Sequence, residues 1–233
     1  MKFGEKEDEL FVLTNNDVIN KWNITVYEKT EIKNIGIKSR CMDYSAANQW
    51  MAVGTKNGTV ILFKVKTPDE QFTLDVGTKT DILQLTFNNK GTELICGDKE
   101  GNIYLWNTET KELKNKILAH TARIREIQYS PDETILATAS YDGTIKLWAT
   151  KDYNLLPIIL RDHGTFINAI VFNLDGKYIT TGDMSGTLIH WPVVTKLLSE
   201  RICEKITRNL TQEEWNTYIA PDIEYEKTCN INE

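Results

Sequence analysis

Aromatic residues recur along this chain at a nearly constant spacing. Five of them lie 41 to 43 residues apart, namely Trp22, Phe63, Trp106, Trp148 and Trp191. A second aromatic residue precedes each by 19 positions, giving Phe3, Tyr44, Phe87, Tyr129 and Phe172. Five residues before the closing aromatic there is a glycine in four segments and an aspartate in the first, at Gly58, Gly101, Gly143, Gly186 and Asp17. The two aromatic positions and the glycine or aspartate position keep the same mutual spacing in all five segments. This pattern predicts a chain built from five repeated units.

The clearest unit runs from Ile124 to Leu160 and has the pattern of four short strands. IREIQYS alternates apolar and polar residues, as a strand with one buried face does. ILATAS and TIKLW follow, separated by YDG, a tight turn in which Gly143 supplies a positive φ. NLLPIIL is the predicted fourth strand, where Pro157 suits an outer edge. An all-β chain with a period of about 40–45 residues is typical of a β-propeller.

The segment from Ala119 to Trp148 resembles the WD-repeat family over nearly its full pattern. The resemblance implies a buried hydrogen-bonded set of four side chains: His120, Ser140 (with Thr138 as the alternative), Asp142 and Trp148. The other units depart from this pattern, with Asn57, Glu100 and Ser185 at the turn position that Asp142 occupies. We expect those units to lose the polar set and to keep their apolar burial.

The predicted fold is therefore an all-β WD-repeat β-propeller of four to five blades over residues 1–193, with a short helical tail over 194–233. Phe3 matches the end of a first strand, so the first blade is expected to be incomplete. Propellers close their ring to protect strand edges. Three explanations remain open: the chain is part of a larger ring, it closes as a small ring, or a second chain completes it.

The tail carries two helical patterns. Val194, Leu197, Leu198, Ile202 and Ile206 are spaced for one helical face. In NLTQEEWNTY, Thr211 and Glu214 form a predicted capping box, and Trp215 and Tyr218 are expected on one face. The run ICEKITRNLTQEEWNTYI resembles the tail of bacterial WD-repeat proteins whose propeller follows an effector domain and a STAND-type switching ATPase. That resemblance implies a bacterial intracellular protein.

Composition limits the possible functions. A net charge of −6 disfavours a general nucleic-acid-binding surface. No apolar run reaches the length of a membrane span, and the charged N-terminus is unlike a signal peptide. The four scattered cysteines, Cys41, Cys96, Cys203 and Cys229, are predicted to be reduced thiols of a cytoplasmic protein, the last two serving in packing. No cofactor-binding or catalytic motif is present in the sequence.

We therefore predict a non-catalytic module that binds a protein or peptide, and neither nucleic acid nor a membrane. The candidate binding residues lie in the turns of one rim: Thr80, Arg123 and Phe166 before the first strands, and Lys56, Lys99, Tyr141 and Met184 between the second and third. Two alternatives are the sensor segment of a STAND-type ATPase, with the ATPase and effector region upstream, and a propeller enzyme. An enzyme would need convergent acids or metal ligands, and the set Asn57, Glu100, Asp142 and Ser185 does not supply them. Although His120, Ser140 and Asp142 superficially resemble a hydrolase triad, their positions match structural ones.

Overall fold

The computed structural model describes residues 1–218, 224–227 and 229, and its first 192 residues form five antiparallel sheets. Sheet 1 contains β1 (Lys2–Phe3), β2 (Glu9–Leu13), β3 (Val18–Asn23) and β4 (Glu28–Asn34). Sheet 2 contains β5 (Ser39–Ser45), β6 (Trp50–Thr55), β7 (Thr59–Lys64) and β8 (Thr67–Asp75). Sheet 3 contains β9 (Ile82–Phe87), β10 (Glu93–Asp98), β11 (Asn102–Asn107) and β12 (Leu113–Leu118).

Sheet 4 contains β13 (Ile124–Tyr129), β14 (Ile135–Ser140), β15 (Ile145–Ala149) and β16 (Ile158–Leu160). Sheet 5 has three described strands, β17 (Ile167–Phe172), β18 (Tyr178–Asp183) and β19 (Leu188–Pro192). Within each sheet the strands pair in chain order, which is the meander expected of a propeller blade. The fourth strand of sheet 4 is shorter than predicted and begins only after Pro157. Proline has no N–H to donate to the strand pairing, so the strand does not include it.

The turn between the second and third strands explains the glycine marker. Gly58, Gly101, Gly143 and Gly186 have φ values of 80°, 91°, 80° and 86°. Asp17, at the same place in sheet 1, has φ 62°. An aspartate tolerates this conformation better than most residues, and here its carboxylate also accepts a hydrogen bond from Ser39 N at 2.7 Å. The five-fold register predicted from the sequence is thus present in the backbone.

The core lies between the sheets. Four clusters of buried apolar side chains join sheet 1 to 2, 2 to 3, 3 to 4 and 4 to 5. In the third of these junctions, for example, Trp148 of sheet 4 packs in one cluster with Ile95 and Leu105 of sheet 3. The closing aromatic residue of a sheet therefore packs toward the preceding sheet.

The sheets form an arc, with β1 beside β5, β5 beside β9, β9 beside β13 and β13 beside β17. Among the described residues, all extensive contacts between sheets are between neighbours in chain order. On the face of sheet 1 that points away from sheet 2, Leu10, Val12, Trp22 and Ile24 line an apolar depression of about 350 Å³. That depression includes Trp22, whose counterpart Trp148 is covered by another sheet.

The tail begins with the two predicted helices, α1 (Thr195–Lys205) and α2 (Gln212–Tyr218). The capping box at α2 is confirmed, because Glu214 N donates to Thr211 Oγ1 at 3.2 Å and Thr211 N donates to Glu214 Oε2 at 2.8 Å. Trp215 and Tyr218 both lie in α2, three residues apart as predicted. Only Trp215 is buried, against Tyr225, whereas Tyr218 is 75% exposed. In α1, the side chains of Leu198 and Ile202 lie outside the described residues.

The prediction of reduced thiols holds for Cys41 and Cys96 but is wrong for the other two cysteines. Cys203 and Cys229 form a disulfide, and their Cα atoms are 5.4 Å apart. Asn209 holds the same two segments together, since its side-chain Nδ2 donates to Cys229 O and its Oδ1 accepts from Cys229 N. The 26-residue separation gave no sequence signal for this pairing. Neither described helix is long and apolar enough to cross a lipid bilayer.

Candidate partner-binding rim and its supporting polar clusters

In sheet 4, one threonine hydroxyl connects the residues of the expected polar set. Trp148 Nε1 donates to Thr138 Oγ1 at 3.0 Å, and His120 Nε2 lies 2.8 Å from the same oxygen. His120 Nδ1 lies 3.0 Å from Asp142 Oδ2. All of these groups are satisfied when Nδ1 carries the imidazole proton and donates to Asp142, while Nε2 accepts from the Thr138 hydroxyl.

The hydroxyl at the centre of this cluster is that of Thr138, the alternative in the prediction, and Ser140 has a different part. Ser140 Oγ donates to Ala122 O at 3.0 Å and accepts from Asp142 N at 3.1 Å. It therefore ties the turn after β14 to the segment that leads into β13. Neighbouring side chains of a strand point to opposite faces, so Thr138 and Ser140 share one face of β14. The alternation of the strand therefore does not predict which of the two bonds Trp148.

Asp142 anchors the turn between β14 and β15. Its carboxylate accepts from Thr121 N at 3.1 Å, from Thr144 N at 2.9 Å and from the Thr144 hydroxyl at 2.7 Å. Burial opposes ionisation of this carboxyl, but the hydrogen bonds from His120 and Thr144 outweigh it and hold its pKa below the usual range. The turn is consequently fastened to the loop that precedes the first strand.

Sheet 5 repeats the cluster, against the expectation that the other units lose it. His163 Nε2 lies 2.6 Å from Thr181 Oγ1, which also accepts from Trp191 Nε1 at 2.9 Å. The carboxylate comes from Asp183, two positions before Ser185, and it lies 3.0 Å from His163 Nδ1. A hydrogen bond from the Ser185 hydroxyl is the main cause that lowers the pKa of Asp183 to about 2.

Sheets 2 and 3 lack the cluster, as expected. Val53 and Cys96 occupy the strand position of Thr138. Trp106 Nε1 therefore lacks the hydroxyl acceptor that Trp148 has and faces the Cys96 sulfur instead. Sheet 3 uses another buried pair instead, because the Tyr104 hydroxyl donates to Asp98 Oδ2 at 3.0 Å. Burial raises the pKa of Tyr104 to about 12.

The chemistry of these clusters is structural. His120 is almost fully buried and its ring nitrogens are engaged within the cluster, so it faces no space in which a substrate would be held. Within the described part of the chain, no group of three or more His, Cys, Asp or Glu side chains is arranged to hold a metal ion. What the clusters do is fix the turns of one rim of the arc.

Backbone hydrogen bonds define which residues form that rim. In sheets 4 and 5, Tyr141 N donates to Arg123 O at 3.2 Å and Met184 N donates to Phe166 O at 3.0 Å. The same bond joins Lys99 N to Asp81 O and Lys56 N to Lys38 O. We call these eight residues the rim: Lys38, Lys56, Asp81, Lys99, Arg123, Tyr141, Phe166 and Met184.

The prediction of Thr80 as a rim residue is wrong by one position. Thr80 is only 7% exposed, and Asp81 makes the backbone bond that Arg123 and Phe166 make in their sheets. The spacing from Asp81 to Arg123 is 42 residues rather than the 43 between Arg123 and Phe166, so counting back by a fixed period misses it. Lys56 and Lys99 are exposed, as expected.

Three of the predicted rim residues form one stack across sheets 4 and 5. The Arg123 guanidinium carbon lies 3.7 Å from the centre of the Tyr141 ring. The Tyr141 and Phe166 rings are parallel within 7°, with centroids 4.8 Å apart. Phe166 is 46% exposed and the neighbouring Met184 is 57% exposed. The stack thus presents a cation and two aromatic rings, and the rim adds the exposed Met184 side chain beside it in the sequence register.

The sequence analysis missed the inner side of this rim. A depression of about 220 Å³, which we call the basic depression, is lined by Arg40, Leu83, Arg123, Ile124, Arg125 and Tyr141. Arg40, Leu83 and Arg125 lie two residues after Lys38, Asp81 and Arg123, so the repeat register would have found them. The Arg40 guanidinium forms a salt bridge of 2.8 Å with Asp81, which joins sheets 2 and 3.

Comparison with known proteins agrees with this architecture. A family model described as "WD domain, G-beta repeat" matches residues 69–107, 111–149 and 156–192. Protein LST8 homolog of Drosophila melanogaster is 31% identical over 112 residues, which cover 45% of this chain and 35% of that protein. Autophagy-related protein 16 of Arabidopsis thaliana is 28% identical over 127 residues, covering 53% of this chain and 24% of that protein. The chain thus spans about a third or less of the length of these relatives.

A solved structure supports the same fold. A chain in "Crystal Structure of Mitotic Checkpoint Complex" superposes with a TM-score of 0.68 at 15% identity, covering 78% of this chain and 62% of that one. At this identity the likeness concerns the fold alone. Together with the five four-strand or three-strand antiparallel sheets and the repeated His–Thr–Trp–Asp clusters, the repeat matches show that the chain belongs to the WD40-repeat family of β-propeller proteins.

Proposed function

We propose that this chain is a non-catalytic protein-interaction scaffold that binds its partner with the rim. Propellers of this family typically serve as interaction scaffolds. The observation that carries the proposal is the exposed stack of Arg123, Tyr141 and Phe166. Arginine and tyrosine are enriched among the residues that dominate protein–protein binding energy.

The rim is held in place before a partner arrives. The Tyr141 turn is fastened by Asp142 to Thr121, and the Met184 turn by Asp183 to the buried His163. A rigid surface loses less conformational entropy on association than a mobile one does. The polar clusters therefore support binding without contacting the partner.

The names of similar proteins fit a role in assemblies. One relative, from Bos taurus, is named "Target of rapamycin complex subunit LST8", and it is 31% identical over 114 residues. Its name places that protein in a complex. For this chain we propose, by analogy, that it is also a subunit of a protein complex.

The test is to recover bound proteins on the full 233-residue chain, tagged and expressed in cells of its own source. A variant carrying Tyr141→Ala and Phe166→Ala should lose specific partners while keeping its circular dichroism spectrum and unfolding temperature. The matched control carries Leu156→Ala and Leu174→Ala, which are 95% and 99% exposed and lie in loops of the opposite rim. Equal recovery of every partner by the two variants would contradict the proposal.

A second candidate is the sensor segment of a bacterial STAND-type switch ATPase, in which partner binding would shift an inhibited chain toward its active state. Its support is the resemblance of the run Ile202 to Ile219 to the tails of such proteins. The apolar face of sheet 1 adds to it, because Leu10, Val12 and Trp22 are of the kind that another blade covers elsewhere in the arc. That blade would come from further repeats or from a second chain.

The two candidates differ in what lies upstream of these residues in the gene. The sensor candidate predicts an adjoining reading frame with further WD40 repeats and a GxxxxGK[ST] phosphate loop. An adjoining frame that supplies repeats without a phosphate loop would remove the sensor candidate and leave the scaffold in place.

A further inference from the structure

The rim and the basic depression carry a charge opposite to that of the whole chain. The chain has a net charge of −6. Taking the eight rim residues with the next inner positions, Arg40, Leu83, Arg125 and Asn168, six of the twelve are Lys or Arg and one, Asp81, is acidic. Folding therefore brings these basic side chains onto one surface, although the same turns also carry the acidic residues Glu100 and Asp142.

The basic side chains differ in how far they are already neutralised. Arg40 is paired with Asp81, and Lys38 lies 3.5 Å from an Asp17 carboxylate oxygen and donates to Asn15 O. In the described part of the chain no carboxylate lies within ion-pair distance of the side chains of Arg123 and Arg125. These two exposed guanidinium groups line the same depression.

The shape of the depression suits a side chain that carries a carboxylate. Its volume of about 220 Å³ exceeds that of a few water molecules, which take roughly 30 Å³ each in the liquid. A guanidinium offers paired donors in a fork that matches a carboxylate. Tyr141 forms one wall, and the Phe166 ring stacks on it as an exposed apolar surface.

We propose that the basic depression binds an acidic peptide segment, with an Asp or Glu side chain between Arg123 and Arg125 and a neighbouring apolar residue on Tyr141 and Phe166. This inference rests on the proposed scaffold function and names the chemistry of its partner. A nucleic acid fits less well, because a phosphate backbone needs a longer basic track and a chain of net charge −6 repels it at long range.

The test uses an array of short peptides in which each sequence is present with its Asp and Glu residues and again with Asn and Gln in their place. The probe is the full chain, and hits are measured by fluorescence anisotropy. Acidic members should bind, their amide counterparts at least tenfold more weakly, and affinity should fall as salt is raised. This comparison uses the unaltered chain, so it does not depend on any variant folding.

A charge-reversal pair locates the site. Arg123→Glu with Arg125→Glu should reduce the affinity for acidic peptides at least tenfold. Lys90→Glu with Lys151→Glu changes the net charge equally at exposed positions of the opposite rim, and it should leave the affinity unchanged. If both pairs weaken binding alike, if amide peptides bind as well as acidic ones, or if no acidic peptide binds, the inference is overturned.

A labelled single-stranded DNA forms the last arm. Tighter binding of this DNA than of the best peptide, abolished by the Arg123 and Arg125 reversal, would also overturn the inference. The scaffold proposal fails separately, by equal partner recovery with the Tyr141 and Phe166 variant. If no acidic peptide binds but the variant with Tyr141→Ala and Phe166→Ala still loses its partners, only the proposed peptide chemistry is rejected.

Discussion

The indole nitrogen of Trp148 donates a hydrogen bond to the hydroxyl of Thr138 at 3.0 Å, across the two central strands of sheet 4. His120 uses the same hydroxyl from the side of the rim. The Thr138 hydroxyl oxygen therefore links Trp148, in β15, to His120, and His120 in turn holds Asp142 and its turn in place. The arrangement couples the packing of the blade to the shape of the surface that we propose to bind partners.

Thr138→Val should lower the free energy of unfolding clearly more than Thr138→Ser does. Valine keeps the shape but leaves Trp148 Nε1 and His120 Nε2 unpaired, at a cost of about 1–3 kcal/mol for each buried group. Serine keeps the hydroxyl and loses one methyl group, worth about 1 kcal/mol. Chemical denaturation of the two variants measures the difference, and a valine variant as stable as the serine variant would count against the bridging role.

Sheet 3 offers the converse experiment at Cys96, which stands at the Thr138 position and gives Trp106 Nε1 a sulfur neighbour in place of a hydroxyl. Cys96→Thr supplies a hydroxyl acceptor and Cys96→Val, of nearly the same shape, does not. The threonine variant should therefore be more stable than the valine variant by about 1 kcal/mol. Because both side chains are bulkier than cysteine, the comparison is between the two variants, and equal midpoints in denaturant would show that no bond forms.

The repeat period predicted the fold, because buried aromatic residues and positive-φ turns impose the same spacing on each blade. Within a blade the sequence leaves some positions undecided. Thr138 and Ser140 share a strand face, so sequence alone did not decide which one meets Trp148, and the carboxylate of sheet 5 moved from the Ser185 position to Asp183. In sheet 4 the turn residue Asp142 bonds His120, whereas in sheet 5 Asp183, the last residue of β18, bonds the equivalent His163.

The remaining differences arise where the period changes or ends. A one-residue shift in spacing exchanged Asp81 for Thr80 on the rim. The cationic surface was missed because its residues are separated by about 40 positions in the sequence and meet only when the sheets pack side by side. The Cys203–Cys229 disulfide lies beyond the last repeat, in a tail whose return path no pattern predicts.

The stability contributed by Asp183 should depend on pH. Its pKa in the folded chain is about 2, below the ordinary value of 3.8. Its contribution is therefore fully present above about pH 4 and is lost as the pH falls toward 2. Asp183→Asn should lower the unfolding temperature at pH 6, and its deficit relative to the unaltered chain should shrink at pH 2.5.

The control for this prediction is Asp69→Asn, at an exposed position of β8. Its unfolding temperature should follow that of the unaltered chain at both pH values. A deficit for Asp183→Asn that stays constant from pH 6 to pH 2.5 would refute the assigned role of the ionised carboxylate.

Thiol counting tests the corrected cysteine assignment. Burial raises the pKa of the Cys41 thiol to about 12 and raises that of Cys96 as well, so both should react slowly with a thiol reagent in the native chain. Denaturation without a reductant should expose two thiols, and denaturation after reduction should expose four. Four reactive thiols without reduction would show that Cys203 and Cys229 are not paired.

The most direct test of the interaction surface is amine-reactive cross-linking of the full chain in complex with a recovered partner, read by mass spectrometry. Lys56 and Lys99 lie on the rim, whereas Lys90 and Lys151 lie on the opposite side of the arc, and all four are exposed. The account predicts that cross-links to the partner come from Lys56 and Lys99. Cross-links confined to Lys90 and Lys151 would contradict it.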